Sequence, residues 1–155
     1  MHQLTAKELT DSGICPTCYD RQHEYCLYGY HPERTIYENN DFECFLAGNP
    51  RSRGHIIISS VRHYKDMMEI PEKLCASVFM FARQLMRLMK ELYGCESVYL
   101  CTMCDGPMNH FHIQLIPRYA DEKRGSGNFV KPREAYVHEE ETVRKLRSEL
   151  AEAER

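Results

Sequence analysis

The 155-residue sequence contains no apolar run long enough to cross a bilayer and no large excess of charge of either sign. With 20 Lys and Arg against 23 Asp and Glu, the formal net charge is only -3. A strongly basic surface is therefore absent, and nucleic acid is not expected as an electrostatic partner. The stretch from Met1 to Ser12 lacks the apolar core of a secretory signal, so a cytoplasmic location without membrane association is expected. There is no internal repeat, and the length suits one domain with a real core.

Cysteine is abundant, with eight residues. In a chain expected to be cytoplasmic a disulfide framework is disfavoured. Cys26, Cys44, Cys75 and Cys95 stand singly among apolar residues and read as small core hydrophobes. Cys15-Pro-Thr-Cys18 and Cys101-Thr-Met-Cys104 have the spacing of metal or redox pairs. Neither leads from a strand into a helix, which argues against a thioredoxin-like role.

Residues 1–34 are broken by Gly13, Pro16, Gly29 and Pro32 and are expected to be irregular. Thr35–Glu38 and Phe42–Leu46 read as strands around Asn39-Asn40-Asp41, and Gly54–Ser60 as a third, central strand. A helix is expected over 72–93, after Pro71 and before Gly94, with Leu74, Val78, Phe81, Leu85, Leu88 and Leu92 as its apolar stripe. Its methionines read as core filler. Ser97–Met103 and Asn109–Ile116 are the fourth and fifth strands, with Pro117 ending the last. Residues 120–135 read as a charged loop or mobile arm. From about His138 onward a thin stripe of Val143, Leu146 and Leu150 marks a helix that lies on the rim or on a partner.

The fifth strand carries the chemistry. Alternation turns Phe111, Ile113 and Leu115 toward the helix and His110, His112 and Gln114 to the opposite face. Two histidines at i and i+2 either divide the work between metal and substrate or converge on one ion.

His110-Phe111-His112-Ile113-Gln114-Leu115-Ile116 resembles the histidine-triad (HIT) motif, His-φ-His-φ-His/Gln-φ-φ, and the likeness runs over roughly residues 15–119. Cys15 and Cys18 stand where many members carry a zinc-binding pair. Tyr37–Phe42 resembles the family hairpin, and Gly54-His55-Ile56-Ile57-Ile58 followed by His63 resembles another shared segment.

The resemblance implies an α+β fold: a five-stranded, mainly antiparallel sheet with one long helix across a face and a C-terminal helix. It divides the chain into a zinc-knuckle-like segment (1–34), a catalytic core (35–119) and a charged loop with a C-terminal helix (120–155), all within one domain. It further implies a nucleotidyl hydrolase or transferase that attacks the α-phosphate of a nucleotide conjugate (a dinucleoside polyphosphate, phosphoramidate or nucleotide sugar) through a nucleotidyl-histidine on His112. A homodimer is implied as well.

Gln114 in third place is similar to the transferase branch, whose members are much larger. Unlike histidine, it cannot donate a proton near neutral pH. A nucleotide-binding regulatory module with little turnover is the alternative reading.

The resemblance assigns a structural zinc to Cys15, Cys18, His63 and His110. Two other sets stay open on spacing: the local Cys15, Cys18, His23 and Cys26, and the four cysteines Cys15, Cys18, Cys101 and Cys104. A catalytic ion on His63, His110 and His112 is a further reading. For the substrate, Ala47 stands where many members have Asp, which leaves Asn49 as a substitute. The loop Cys104–Asn109 leaves Asn109 and the Gly106 backbone as donors. Arg118 closes the shared Ile-Pro-Arg ending, and Arg51, Arg53, Arg62, Lys123, Arg124, Lys131 and Arg133 are further cations.

Overall fold

The structure, a computed structural model, describes residues 4–154. Two short helices come first, α1 (Ala6–Asp11) and α2 (Pro16–Gln22). They occupy part of the stretch expected to be irregular. Each spans only one or two turns, too short to print a helical period on the sequence. Their signals are at the ends. Thr5 and Glu8 close a reciprocal capping box on α1, and Pro16 opens α2, where a missing N–H costs nothing.

The strands are β1 (Thr35–Glu38), β2 (Phe42–Leu46), β3 (Ile56–Ser60), β4 (Ser97–Cys101) and β5 (His112–Arg118), all antiparallel in the order β1-β2-β3-β5-β4. The β1–β2 turn is closed by Asn39, whose side-chain oxygen accepts from the Asp41 and Phe42 N–H groups at 2.8 and 2.9 Å. β5 begins three residues later than expected and continues through Pro117. Its pairing with β3 stops at Ile56–Leu115, while pairing with β4 runs on to Ser97–Arg118. Pro117 thus sits where β5 has one neighbour only, the setting in which a strand tolerates proline.

One face of the sheet is covered by α3 (Glu72–Tyr93), which ends at Gly94 in the left-handed conformation. Its buried stripe is Leu74, Val78, Ala82, Leu85, Met89 and Tyr93, packed on Cys44, Ile56, Ile58, Phe111, Ile113 and Leu115. Phe81, Leu88 and Leu92 lie on the flank of that stripe, partly buried. The buried face is rotated from the expected stripe, with Ala82 and Met89 fully buried in place of Phe81 and Leu88. Of the methionines, Met89 is core, whereas Met68 and Met80 are exposed. Cys44 and Cys95 are buried as expected, while Cys26 and Cys75 are half-buried.

The C-terminal helix α4 (Glu140–Ala153) is core rather than rim. Val143, Leu146 and Leu150 are buried and join the main cluster between β1 and α3. Arg147, on the same helix, donates to the Thr35 and Pro32 carbonyls at 2.7 Å each.

The charged stretch before α4 is a pinned strap, not a mobile arm. Asn128 is buried and donates to the Lys123 and Gly125 carbonyls, and Phe129 packs edge-on against Tyr99. Arg51 donates to the Lys131 carbonyl, Glu134 N–H donates to the Pro50 carbonyl, and Arg53 pairs with Glu139. Charge density suggested mobility, but besides the local bonds of Asn128 the anchors Tyr99, Arg51, Pro50 and Arg53 are distant in sequence. Among the described residues no helix is long and apolar enough to cross a membrane.

Because α4 completes the core, Leu146→Ala is expected to cost about 3 kcal/mol of stability through lost burial and an unfilled cavity. Urea unfolding followed by circular dichroism measures this. A change within a few tenths of a kcal/mol would return α4 to the rim.

Candidate functional site

The face of the sheet opposite α3 is open at β1, β2 and β3. A cleft of about 980 Å³ lies on it, reaching from His112 across Ser59 and Ile57 to the Ala47-Gly48-Asn49 turn. Tyr28 and Tyr30 from the segment before β1, and Tyr136 from the strap, form its walls. His112 is the first residue of β5 and the cross-strand partner of Ser59. Its Nδ1 lies 2.9 Å from the His110 carbonyl, so that nitrogen carries the proton and donates it. Nε2, the other ring nitrogen, belongs to a side chain that lines the cleft. The Thr102 hydroxyl donates to the His112 carbonyl at 2.8 Å, which fixes the backbone on the other side.

His110 stands just before β5 and does not share the role of His112. It is buried, with Nε2 donating to the Ser60 carbonyl at 2.7 Å and the Ser60 hydroxyl 3.2 Å away. Its Nδ1 faces Cys15 Sγ at 3.6 Å and Cys18 Sγ at 3.4 Å, and His63 Nδ1 is 3.5 Å from Cys18 Sγ. One ligand atom from each of Cys15, Cys18, His63 and His110 falls within a set no wider than 4.8 Å. Two thiols and two imidazoles at that span fit a tetrahedral ion of borderline softness. The Ser60 carbonyl supplies the outer hydrogen bond that fixes the ring of a metal-binding histidine.

The local alternative is not assembled. His23 turns back to the Tyr19 carbonyl at 2.8 Å and stacks on that ring, and the cluster contains neither His23 nor Cys26. Cys101 lies on β4 opposite Gln114, so the second cysteine pair is not brought to the first. His112 is outside the cluster too. Arg21 holds α2 against the sheet, donating to the Val61 carbonyl and pairing with Glu43, both at 2.6 Å.

Electrostatics fits this division. Burial, then the hydrogen bond and charge of Cys15, push the Cys18 thiol up to about 11, so without a cation it stays protonated at neutral pH. Burial also lowers His110 below the ordinary histidine range, leaving a neutral imidazole. Capture of an ion by this cluster therefore expels thiol protons.

Gln114 is buried on the face of His112, and behind it stands His55, only 1% exposed. Sequence reasoning placed His55 within a shared segment but gave it no task. Its Nδ1 accepts from the Arg51 N–H at 3.0 Å, so its proton is on Nε2. That nitrogen and Gln114 Oε1 are both buried without a well-aligned partner, and Gln114 acts on His55 as its hydrogen-bonding neighbour. Gln114 itself, 3% exposed, is not among the residues that line the cleft. Burial first, then the positive charge of Arg133, lowers His55 to about 4.

The remaining expected substrate residues separate. Asn49 lines the cleft, and its carbonyl accepts from Arg133 at 2.9 Å. Gly106 N–H is spent on Asn109 Oδ1 at 2.9 Å, closing the 104–109 turn on itself, and neither residue lines the cleft. Arg118 is buried at the far end of β5, ion-paired with Glu96 and donating to the Tyr119 and Glu122 carbonyls. The strap supplies Arg133 and Tyr136, wall residues whose placement no local sequence signal revealed.

Two outcomes follow. Metal content of the purified protein, read by emission spectroscopy, is expected to fall sharply in Cys15→Ser and to persist in His112→Ala; the reverse pattern would place the ion at His112. For His55 the folded value lies below the ordinary 6.5, so its contribution is present above that pH and is lost as pH falls toward 4. The shift corresponds to about 3 kcal/mol. Wild type is expected to lose that much more stability than His55→Gln between pH 7 and 4 in parallel urea titrations. Equal losses would mean that His55 is not held neutral by the fold.

Comparison with known proteins agrees with this architecture. The profile of the HIT domain matches residues 29–121. An uncharacterized HIT-like protein of Methanocaldococcus jannaschii is 27% identical over 109 residues, covering 68% of this chain and 81% of that one. Among solved structures, a zinc-bound histidine triad family protein from Mycobacterium smegmatis superposes with a TM-score of 0.66 at 21% identity, covering 92% of this chain and 97% of the other. Diadenosine triphosphate hydrolase of Plasmodium falciparum, solved with cyclomarin A, superposes with a TM-score of 0.61 at 16% identity, covering 81% of each chain. The matched segment runs from before β1 through the end of β5 and takes in His55, His63, His110, His112 and Gln114, and on that ground the chain belongs to the HIT domain family.

Proposed function

We propose that this chain is a nucleotidyl hydrolase or transferase working through a covalent nucleotidyl-histidine on His112. The observation that carries the reading is the hydrogen bond at Nδ1: its proton is held by the His110 carbonyl, which leaves Nε2 as the uncommitted ring nitrogen of a residue lining a cleft large enough for a nucleotide. The names of two solved relatives, a hydrolase of a dinucleoside polyphosphate and a zinc-bound histidine triad protein, point the same way.

In the first step the Nε2 lone pair forms a bond to the α-phosphorus while the bond from phosphorus to the leaving group breaks. The electron pair departs with that group, which takes its proton from solvent. The resulting phosphorylated imidazolium keeps its Nδ1 proton on the His110 carbonyl, which stabilises the positive charge. In the second step water or an acceptor hydroxyl attacks phosphorus, the N–P bond breaks, and the proton of the attacker passes to solvent. Gln114, two residues beyond His112 on the same strand, is assigned the donation of its NH2 to the phosphate oxygens as charge accumulates on them. It serves as a donor and not as an acid.

Cys15, Cys18, His63 and His110 would hold a structural zinc with no open coordination position. Zinc there would fasten the N-terminal segment to the end of β3 and immobilise His110, whose carbonyl holds His112. No step of the reaction runs through it. A homodimer belongs to the same proposal, with β4 as the open edge of the sheet.

The test is incubation with adenylyl phosphoramidate, diadenosine polyphosphate and nucleotide sugars, followed by intact-mass analysis after rapid quench. A nucleotidyl adduct is expected on wild type, with at least a hundredfold loss of turnover in His112→Ala. Tight nucleotide binding without adduct or product would leave a regulatory binding module instead.

A further inference from the structure

Four guanidinium groups line the cleft: Arg21, Arg34, Arg133 and Arg147. Two are spent on structure. Arg21 pairs with Glu43, and Arg147 donates to the Thr35 and Pro32 carbonyls. Arg34 and Arg133 have no carboxylate within ion-pair distance among the described residues.

These two flank one short turn. Arg34 lies so close over Gly48 that a Cβ there would be 2.4 Å from its Nη1, so the glycine gives the guanidinium its seat. Its plane is held by Tyr136, 5.7 Å from the ring centroid. Arg133 donates one Nη1 hydrogen to the Asn49 carbonyl at 2.9 Å, which leaves other donors of its fork free. Of the four carboxylates that line the cleft, three are taken up elsewhere: Asp20 accepts from the Leu27 and Tyr28 N–H groups, Glu33 faces His31, and Glu43 faces Arg21; the fourth, Glu38 at the end of β1, forms no ion pair with either arginine. Burial and the neighbouring charge of Arg51 hold Arg133 below its ordinary range, the sign of a cation lacking a counter-charge.

The sheet sets the distance to His112. His112 pairs with Ser59, and the Ala47 N–H donates to the His55 carbonyl, four residues further along β3 and one strand beyond it. Two strand spacings and four residues of rise separate the Cα atoms of His112 and Ala47 by roughly 16 Å. Side chains project into that gap from both ends, and the space between them is the floor of the cleft.

We infer that Arg34 and Arg133 form a second anion site, so that the preferred substrate is a nucleotide conjugate carrying another phosphate set apart from the one attacked by His112. This inference rests on the proposed nucleotidyl chemistry for the orientation of the ligand. An isolated pair of planar, multidentate donors seated over bare backbone suits a phosphate monoester better than an uncharged hydroxyl. The spacing favours a phosphate on the far side of the nucleoside over one bonded directly to the first.

The experiment is titration calorimetry with adenosine and guanosine 5′-monophosphates, their 3′,5′-bisphosphates and their 5′-diphosphates. Wild type and the double variant Arg34→Met, Arg133→Met, which keeps the aliphatic stems, are compared. The bisphosphate is expected to bind wild type about tenfold or more tighter than the monophosphate. The double variant should lose that preference while binding the monophosphate as before. A 5′-diphosphate should gain little. Equal binding of monophosphate and bisphosphate by wild type, a preference that survives in the double variant, or an equal gain from the 5′-diphosphate overturns the separated site. Each of these leaves the His112 chemistry standing if the adduct forms. Failure of every nucleotide to bind, with no adduct, overturns both.

Discussion

His110 is tied on three sides. One ring nitrogen donates to the Ser60 carbonyl, the other faces the two N-terminal thiols, and its own carbonyl accepts the Nδ1 proton of His112. The second N-terminal helix, the end of β3 and the start of β5 therefore share one residue. A shift of His110 by an ångström would disturb all three contacts together. The charge-free imidazole is what permits this: burial keeps it neutral, so both ring nitrogens serve in defined roles at ordinary pH.

The rest of the fold supports that arrangement. α3 and α4 bury one face of the sheet, and the strap covers the β4 side of the other, so only the β1–β3 part stays open. Buried polar groups lie where the open part meets the covered part: His55 behind Gln114, and Ser60 behind His110. Such groups are costly without partners, which makes each hydrogen bond to them a constraint on position. The buried His110 thus fixes one group that lines the cleft, the imidazole of His112.

The sequence was most informative where local rules are strongest. Periodicity and end signals placed α3 to the residue, because Pro71 and Gly94 act within a single turn. The β1–β2 hairpin was equally plain from Asn39-Asn40-Asp41. Alternation separated Phe111, Ile113 and Leu115 from His112 and Gln114, as the core confirms. It did not reveal, at His110, which lies just before β5 and lines the cleft with His112, the hold of Ser60 and the thiols on the ring. It also underrated Val143, Leu146 and Leu150, because a thin stripe reveals nothing about the depth of the groove that receives it.

Residue types and spacing by themselves determined a helix-backed antiparallel sheet, a histidine pair on one strand and a short list of possible metal donors. Those features come from steric and hydrophobic preferences that act over a few residues. Only the tertiary structure decided among the donors, since Cys15 and His110 meet across ninety-five positions and no local rule reaches that far. It likewise drew Arg118 away into an ion pair with Glu96 and brought Arg133 and Tyr136 to the cleft. A charged side chain is assigned by the partner that desolvates or neutralises it, and that partner is known only once the chain has closed on itself.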